Sequence, residues 1–232
     1  MNEYPMSLLE WSYEQIKQKL FSGELKPGEK LVVSKLAKDL DVSPTPIKEA
    51  LNRLVAEGVL EALPRRGFQV KRLTIEEIQD VMRCRLMMET YAVDGAIENY
   101  KENPDISKKM REILRSLNKI GNKNYYEAAT LEYEFHSQII ELSGNKKLME
   151  LYNIMWGVGF SFYIYSYLDY PMICHVKAVE EHEKMVTYLE NGMNRELKGI
   201  ITKHLEETID LYNKILEEKK DKLKEEIDSI ED

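Results

Sequence analysis

The sequence predicts a mainly α protein: an N-terminal winged helix-turn-helix over residues 1–73, an all-α bundle of six to seven helices over 74–222, and an acidic tail over 223–232. Three observations carry this expectation. First, hydrophobic periodicity is helical almost everywhere except residues 59–72, which read as strand, turn, strand. Second, 11 Gly and 7 Pro among 232 residues, with 43% apolar and 32% charged side chains, suit a helix-rich globular chain and exclude collagen-like or low-complexity sequence. Third, charge divides at the same place as the pattern. Residues 1–73 hold 12 Lys and Arg against 10 Asp and Glu, whereas the remainder carries a net charge of −10, so the total of −8 conceals two differently charged modules.

Other classes are set aside on composition. Cys84 and Cys174 show no Cys-x-x-Cys spacing, so neither a disulfide framework nor a thiolate zinc site is expected, and a reducing cytoplasm fits. The N-terminus has the wrong polarity for a signal peptide. The most apolar stretch, 154–168, contains Ser161 and Ser166 and falls short of the about 18 to 20 apolar residues that cross a bilayer.

In the first module, Leu8, Leu9, Ile16 and Leu20 share one face of a first helix, and Lys26-Pro27-Gly28-Glu29 makes a tight turn after it. A second helix from about Ser34 to Leu40 buries Leu36, Ala37 and Leu40. Asp41-Val42-Ser43 joins it to a third, a link short enough for a helix-turn-helix. The third starts at Ser43-Pro44-Thr45-Pro46, with Ser43 able to cap and both prolines in the first turn, where N–H groups have no intrahelical acceptor. Ile47, Leu51, Leu54 and Val55 face inward. Thr45, Lys48, Glu49, Asn52 and Arg53 then face outward, a polar surface suited to a DNA major groove. Gly58 ends the helix, and a hairpin follows with Arg65, Arg66 and Gly67 at its tip, placed to meet phosphates or the minor groove.

These residues resemble a known family. Leu25-Lys-Pro-Gly28, Leu36-Ala37, Val42-Ser-Pro-Thr-Pro-Ile-Lys-Glu-Ala-Leu51, Arg53-Leu54, Glu57-Gly58 and Pro64-Arg-Arg-Gly67 are similar to the DNA-binding domain of GntR-family transcriptional regulators. The resemblance implies operator contacts from Thr45 and Lys48 on the recognition helix and from Arg66 and Gly67 in the wing. Where the family often has arginines, this chain has Ser34 and Pro44, so its operator sequence is expected to differ, because Arg is the residue that grips guanine bidentately.

The second module is punctuated by Asn103-Pro104-Asp105, Gly121-Asn122, Ser143-Gly144-Asn145, Tyr170-Pro171 and Asn191-Gly192 into helices near 75–100, 105–121, 124–143, 145–168, 171–192 and 194–220. All four histidines lie here. Glu132 and His136 are one helical turn apart and can chelate one ion. His182 stands about 10 residues before the Asn191-Gly192 turn and His204 about 12 after it, so antiparallel helices rising about 1.5 Å per residue bring them to similar heights.

This pattern resembles the FCD effector domain that follows the winged helix in the FadR-like subgroup, whose ligand set is an acid, a His four residues later and two further His about 22 apart. The resemblance implies a divalent transition metal held by Glu132, His136, His182 and His204. Zn²⁺ suits that donor set, as do Ni²⁺ and Mn²⁺. Glu132 stands where most relatives have Asp. His175 matches no motif position and is read as structural. Arg85 is a candidate contact for a small carboxylate effector, or equally an i,i+4 ion pair with Glu89. Trp156, Phe160, Phe162, Tyr163, Tyr165 and Tyr167 line a pocket or pack in a core or dimer interface.

The function expected is a ligand-responsive regulator acting as a homodimer on a double-stranded DNA operator and sensing a small organic acid at its metal, with no membrane association. Two alternatives stay open here: a metalloenzyme using the three-His, one-carboxylate site, for which Glu134 is a poor base, and a DNA-binding regulator with a purely structural metal.

Overall fold

The computed structural model describes residues 6–21, 24–72, 74–120, 124–156 and 173–231. The expected boundary at Leu73, the breaks at Gly121-Asn122 and Tyr170-Pro171, and the aromatic positions from Phe160 to Tyr167 lie outside these residues, as do the side chains of Trp156 and His175.

The N-terminal part packs helix α1 (Leu8–Phe21) and helix α2 (Val33–Asp39) around α3 (Pro44–Ala56). α1 buries Tyr13, Ile16 and Leu20, while Leu8, expected inward, is 43% exposed. Leu9 packs against the core from a partly buried position, and the fully buried apolar stripe starts at Tyr13. Pro46, Ile47, Ala50, Leu51 and Leu54 form the buried face of α3, the recurrence of an amphipathic helix. Ser43 occupies its N-cap in extended backbone, but the hydroxyl makes no capping bond, contrary to expectation. A capping oxygen accepts from the second or third helical N–H; Pro46 at the third position has none, which leaves Thr45 N–H, and the Ser43 hydroxyl does not bond to it.

Three short strands complete this part: β1 (Lys30–Leu31), β2 (Leu60–Leu63) and β3 (Gly67–Val70), antiparallel in the order β1-β3-β2. The β2–β3 hairpin was expected; β1 was not, because two residues carry no periodicity. Gly28 N–H donates to the Val70 carbonyl, and Val70 N–H to that of Glu29, which holds β1 on the sheet.

Six helices form the second part among the described residues: α4 (Ile75–Tyr100), α5 (Asp105–Ile120), α6 (Tyr125–Leu142), α7 (Lys146–Trp156), α8 (Ile173–Glu190) and α9 (Asn194–Glu231). Central α4 touches α6, α7, α8 and α9. Its Gly95 permits the close approach of α6, since a Cβ there would lie 2.7 Å from the Ser143 carbonyl oxygen. Met110, Ile113, Leu114 and Leu117 give α5 one buried face. α9 continues past residue 220 through the acidic end to Glu231, a stretch of Glu, Lys and Leu with high helix propensity.

The two parts meet at the start of α4. Thr74 accepts from the Glu77 N–H at 3.2 Å and Glu77 accepts from the Thr74 N–H at 3.0 Å, a reciprocal cap. The Glu77 carboxylate also pairs with Lys71 at the end of the wing, 2.6 Å away. Beside this pair lies a cavity of about 300 Å³, lined by Gly58 and Lys71 on one side and Val81, Ile154 and Met155 on the other.

Capping contrasts at the two helix starts give a prediction. Thr74→Ala is expected to destabilise the protein by about 1 kcal/mol, and Ser43→Ala by no more than about 0.5 kcal/mol, in chemical denaturation.

Candidate functional site

On α3, Thr45, Lys48 and Asn52 recur at three- and four-residue intervals, and all three are exposed on the side away from Ile47 and Leu54. The prolines make this possible by starting the helix without interrupting it. Arg53, expected on the same face, turns instead toward α1. Its Nη1 donates to both Glu10 oxygens at 3.0 and 3.1 Å, its Nε to Glu57 at 3.2 Å, and its guanidinium lies 3.9 Å from the Tyr13 ring centroid. Tyr13 in turn donates its hydroxyl to Glu57 at 2.7 Å. Burial, followed by the Glu57 charge, pushes the Tyr13 phenol far above its ordinary range, so it remains a donor. Arg53 is thereby a clamp between helices.

At the hairpin tip, Arg66 N–H closes a turn onto the Leu63 carbonyl at 2.9 Å. Arg65 and Gly67 both adopt positive φ, +61° and +92°. A Cβ at Gly67 would meet the Leu31 carbonyl oxygen at 3.0 Å, so the glycine answers both a backbone and a packing requirement. Arg65 and Arg66 are exposed.

The bundle brings the four expected metal-ligating residues together. α6 supplies Glu132 and His136 from one face, α8 supplies His182, and α9 returns antiparallel to supply His204. The reversal uses Gly192 at φ +64° and a bond from Met193 N–H to the Tyr188 carbonyl. All four side chains are buried, and one ligand atom from each lies within 4.8 Å of the others. His136 Nε2 is 3.0 Å from His182 Nε2, and Glu132 Oε2 is 3.7 Å from both. Donors about 2.0–2.2 Å from a shared ion stand at such separations, so the residues fit a divalent metal.

Two further carboxylates complete the cluster. Glu89 faces His136 Nδ1 at 2.8 Å, and Glu181 faces His204 Nδ1 at 2.9 Å. Because the nitrogen beside a carboxylate carries the proton, each ring keeps its Nε2 lone pair for the other side. Burial, reinforced by the Arg85 charge, lowers His136 to a pKa of about 4, so the ring is neutral near pH 7. Burial opposes the Glu89 charge, yet the Arg85 guanidinium beside it holds its carboxyl well below the usual range. The hydrogen bond from His204 lowers Glu181 likewise.

Arg85 is itself buried and forms the ion pair with Glu89, its Nε 2.5 Å from Oε1. Tyr152 on α7 donates its hydroxyl to the same oxygen at 2.9 Å, a contact that no sequence pattern announces. Glu89 and Glu181 had legible signals: one stands a helical turn from Arg85, the other directly precedes His182. Glu134 is exposed, on the opposite side of α6 from the cluster.

Among the described residues, no helix is long and apolar enough to cross a membrane. Residues 11–70 match the bacterial regulatory proteins of the gntR family, and residues 80–207 match the FCD domain. The chain is 26% identical over 212 residues to the HTH-type transcriptional regulator YdhC of Bacillus subtilis, covering 90% of this chain and 92% of that one. It is 31% identical over 142 residues to the HTH-type transcriptional regulator McbR of Escherichia coli, covering 61% and 63%. The solved structure of E. coli McbR/YncC superposes with a TM-score of 0.75 at 25% identity, over 90% of this chain and 98% of that one. With the FCD match alone spanning more than half of its length, the chain belongs to the GntR family of transcriptional regulators: it is a DNA-binding regulator with an FCD effector domain, and not an enzyme.

Proposed function

We propose that this regulator senses a small organic acid through a divalent metal held by Glu132, His136, His182 and His204, and that it acts as a homodimer on a two-fold operator. The observation that carries this reading is the convergence of four buried donors from three helices on one focus. When bound, the metal supplies a Lewis-acidic position for a carboxylate oxygen. The residues around it hold the imidazoles in one orientation and exclude water, with the Phe135 ring packed 4.4 Å from that of His182. Operator contacts fall to Thr45, Lys48 and Asn52 in the major groove and to Arg65, Arg66 and the Gly67 backbone at the wing, while Arg53 holds α3 in place. An acid that binds one arrangement of the winged domains more tightly than the other shifts DNA affinity by that difference.

A dimer follows from the limited sequence that one recognition helix reads. Met87 and Tyr91, 64% and 66% exposed and one turn apart on α4, offer an apolar surface for the second copy.

Four measurements test the reading. His136→Ala is expected to lose the metal while its circular dichroism stays helical; full occupancy by elemental analysis removes His136 from the ligand set. Lys48→Ala and Arg66→Ala are each expected to weaken operator binding and to reduce the slope of log K against log salt by about 1. Met87→Glu combined with Tyr91→Glu is expected to sediment as a monomer, and an unchanged dimer places the interface elsewhere. For the sensing step, gel shifts of metal-loaded protein with and without pooled carboxylic acids decide: unchanged DNA affinity leaves a structural metal.

A further inference from the structure

We infer that Glu89 and Glu181 are positioning residues for the metal, fixing His136 and His204 as Nδ1–H tautomers. The inference rests on the metal reading above and deepens it. Each carboxylate lies on the far side of its imidazole from the cluster, 2.8 Å and 2.9 Å from Nδ1. An imidazole with Nδ1 protonated presents Nε2 as a lone pair; with the proton on Nε2 it presents a donor that no cation can use.

The three carboxylates come from different helices and are all buried: Glu132 at 6%, Glu89 at 0% and Glu181 at 4% exposure. Among the described residues, buried Arg85 pairs with the Glu89 carboxylate, and Lys203 reaches Glu181 at 3.5 Å from an exposed position.

The two carboxylates differ in how they are secured. Glu89 is tied to Arg85 and to the Tyr152 hydroxyl, both buried, so its orientation belongs to the packing of α4 against α7. Glu181 sits near the rim beside Lys203. His136 is therefore held rigidly from inside the bundle and His204 from its edge.

The test uses the full-length protein and Co²⁺, whose visible absorption reports the ligand field, with affinity measured by chelator competition. Glu89→Gln and Glu181→Gln keep the side-chain shape and remove the charge. Each is expected to bind one Co²⁺ per chain with 10- to 100-fold lower affinity and an altered spectrum, as loss of a carboxylate behind a ligating imidazole does in general. Glu181→Asp is expected to recover part of the lost affinity. Should Glu89→Gln fail to fold because Arg85 loses its counter-charge, Glu181→Gln decides the matter alone. Wild-type affinity and spectrum in the folded Gln variants overturn the positioning role. No Co²⁺ binding by the wild-type protein overturns the metal reading itself.

Discussion

Glu89 carries a negative charge where water does not reach, and the arrangement of the bundle follows from satisfying it. An isolated buried carboxylate costs several kcal/mol, which only close partners offset. Those partners come from three directions: Arg85 one turn earlier on α4, His136 on α6 and Tyr152 on α7. Each is fully buried or nearly so, hence none can leave without stranding a charge or a polar group. A single side chain thereby sets the relative positions of three helices, and one of its partners is a candidate metal ligand. The coordination site and the core are in this sense one construction.

The winged domain solves a similar problem at its surface. The Arg53 charge is shared between Glu10 and Glu57, and its guanidinium plane covers the Tyr13 ring, so α1 and α3 are joined by a polar clamp beside the apolar core that holds Ile16, Leu51 and Leu54. This leaves Thr45, Lys48 and Asn52 on a helix that is braced from behind. Pro44 and Pro46 fix the backbone at its start, and Pro46 removes one of the two N–H groups that a serine cap can use.

Much of this was legible in the sequence where helical geometry alone decides. Glu132 and His136 share a face because four residues make about one turn, and His182 meets His204 because equal distances from a tight turn give equal heights. Among the described residues, the helix breaks at Asn103-Pro104-Asp105, Ser143-Gly144-Asn145 and Asn191-Gly192 were visible in their turn residues. What periodicity could not supply was the identity of distant partners. Arg53 looks the same in sequence whether it faces a phosphate or Glu10. Tyr152 is indistinguishable from any core aromatic until α7 is placed against α4. β1 escaped because its two residues are defined by the strand they join, and Leu8, at the first residue of α1, is exposed although its neighbour Leu9 packs on the core.

The join between wing and bundle has a mechanical consequence. Residues 71–74 are all that separate β3 from α4, and the Lys71–Glu77 pair bridges even those. By helical rise α4 is about 39 Å long, and Glu89 stands roughly 21 Å from its start. A tilt of α4 by about 5° around Glu89 would move its start, where the wing is joined, by about 2 Å, comparable with the distance between making and losing a hydrogen bond.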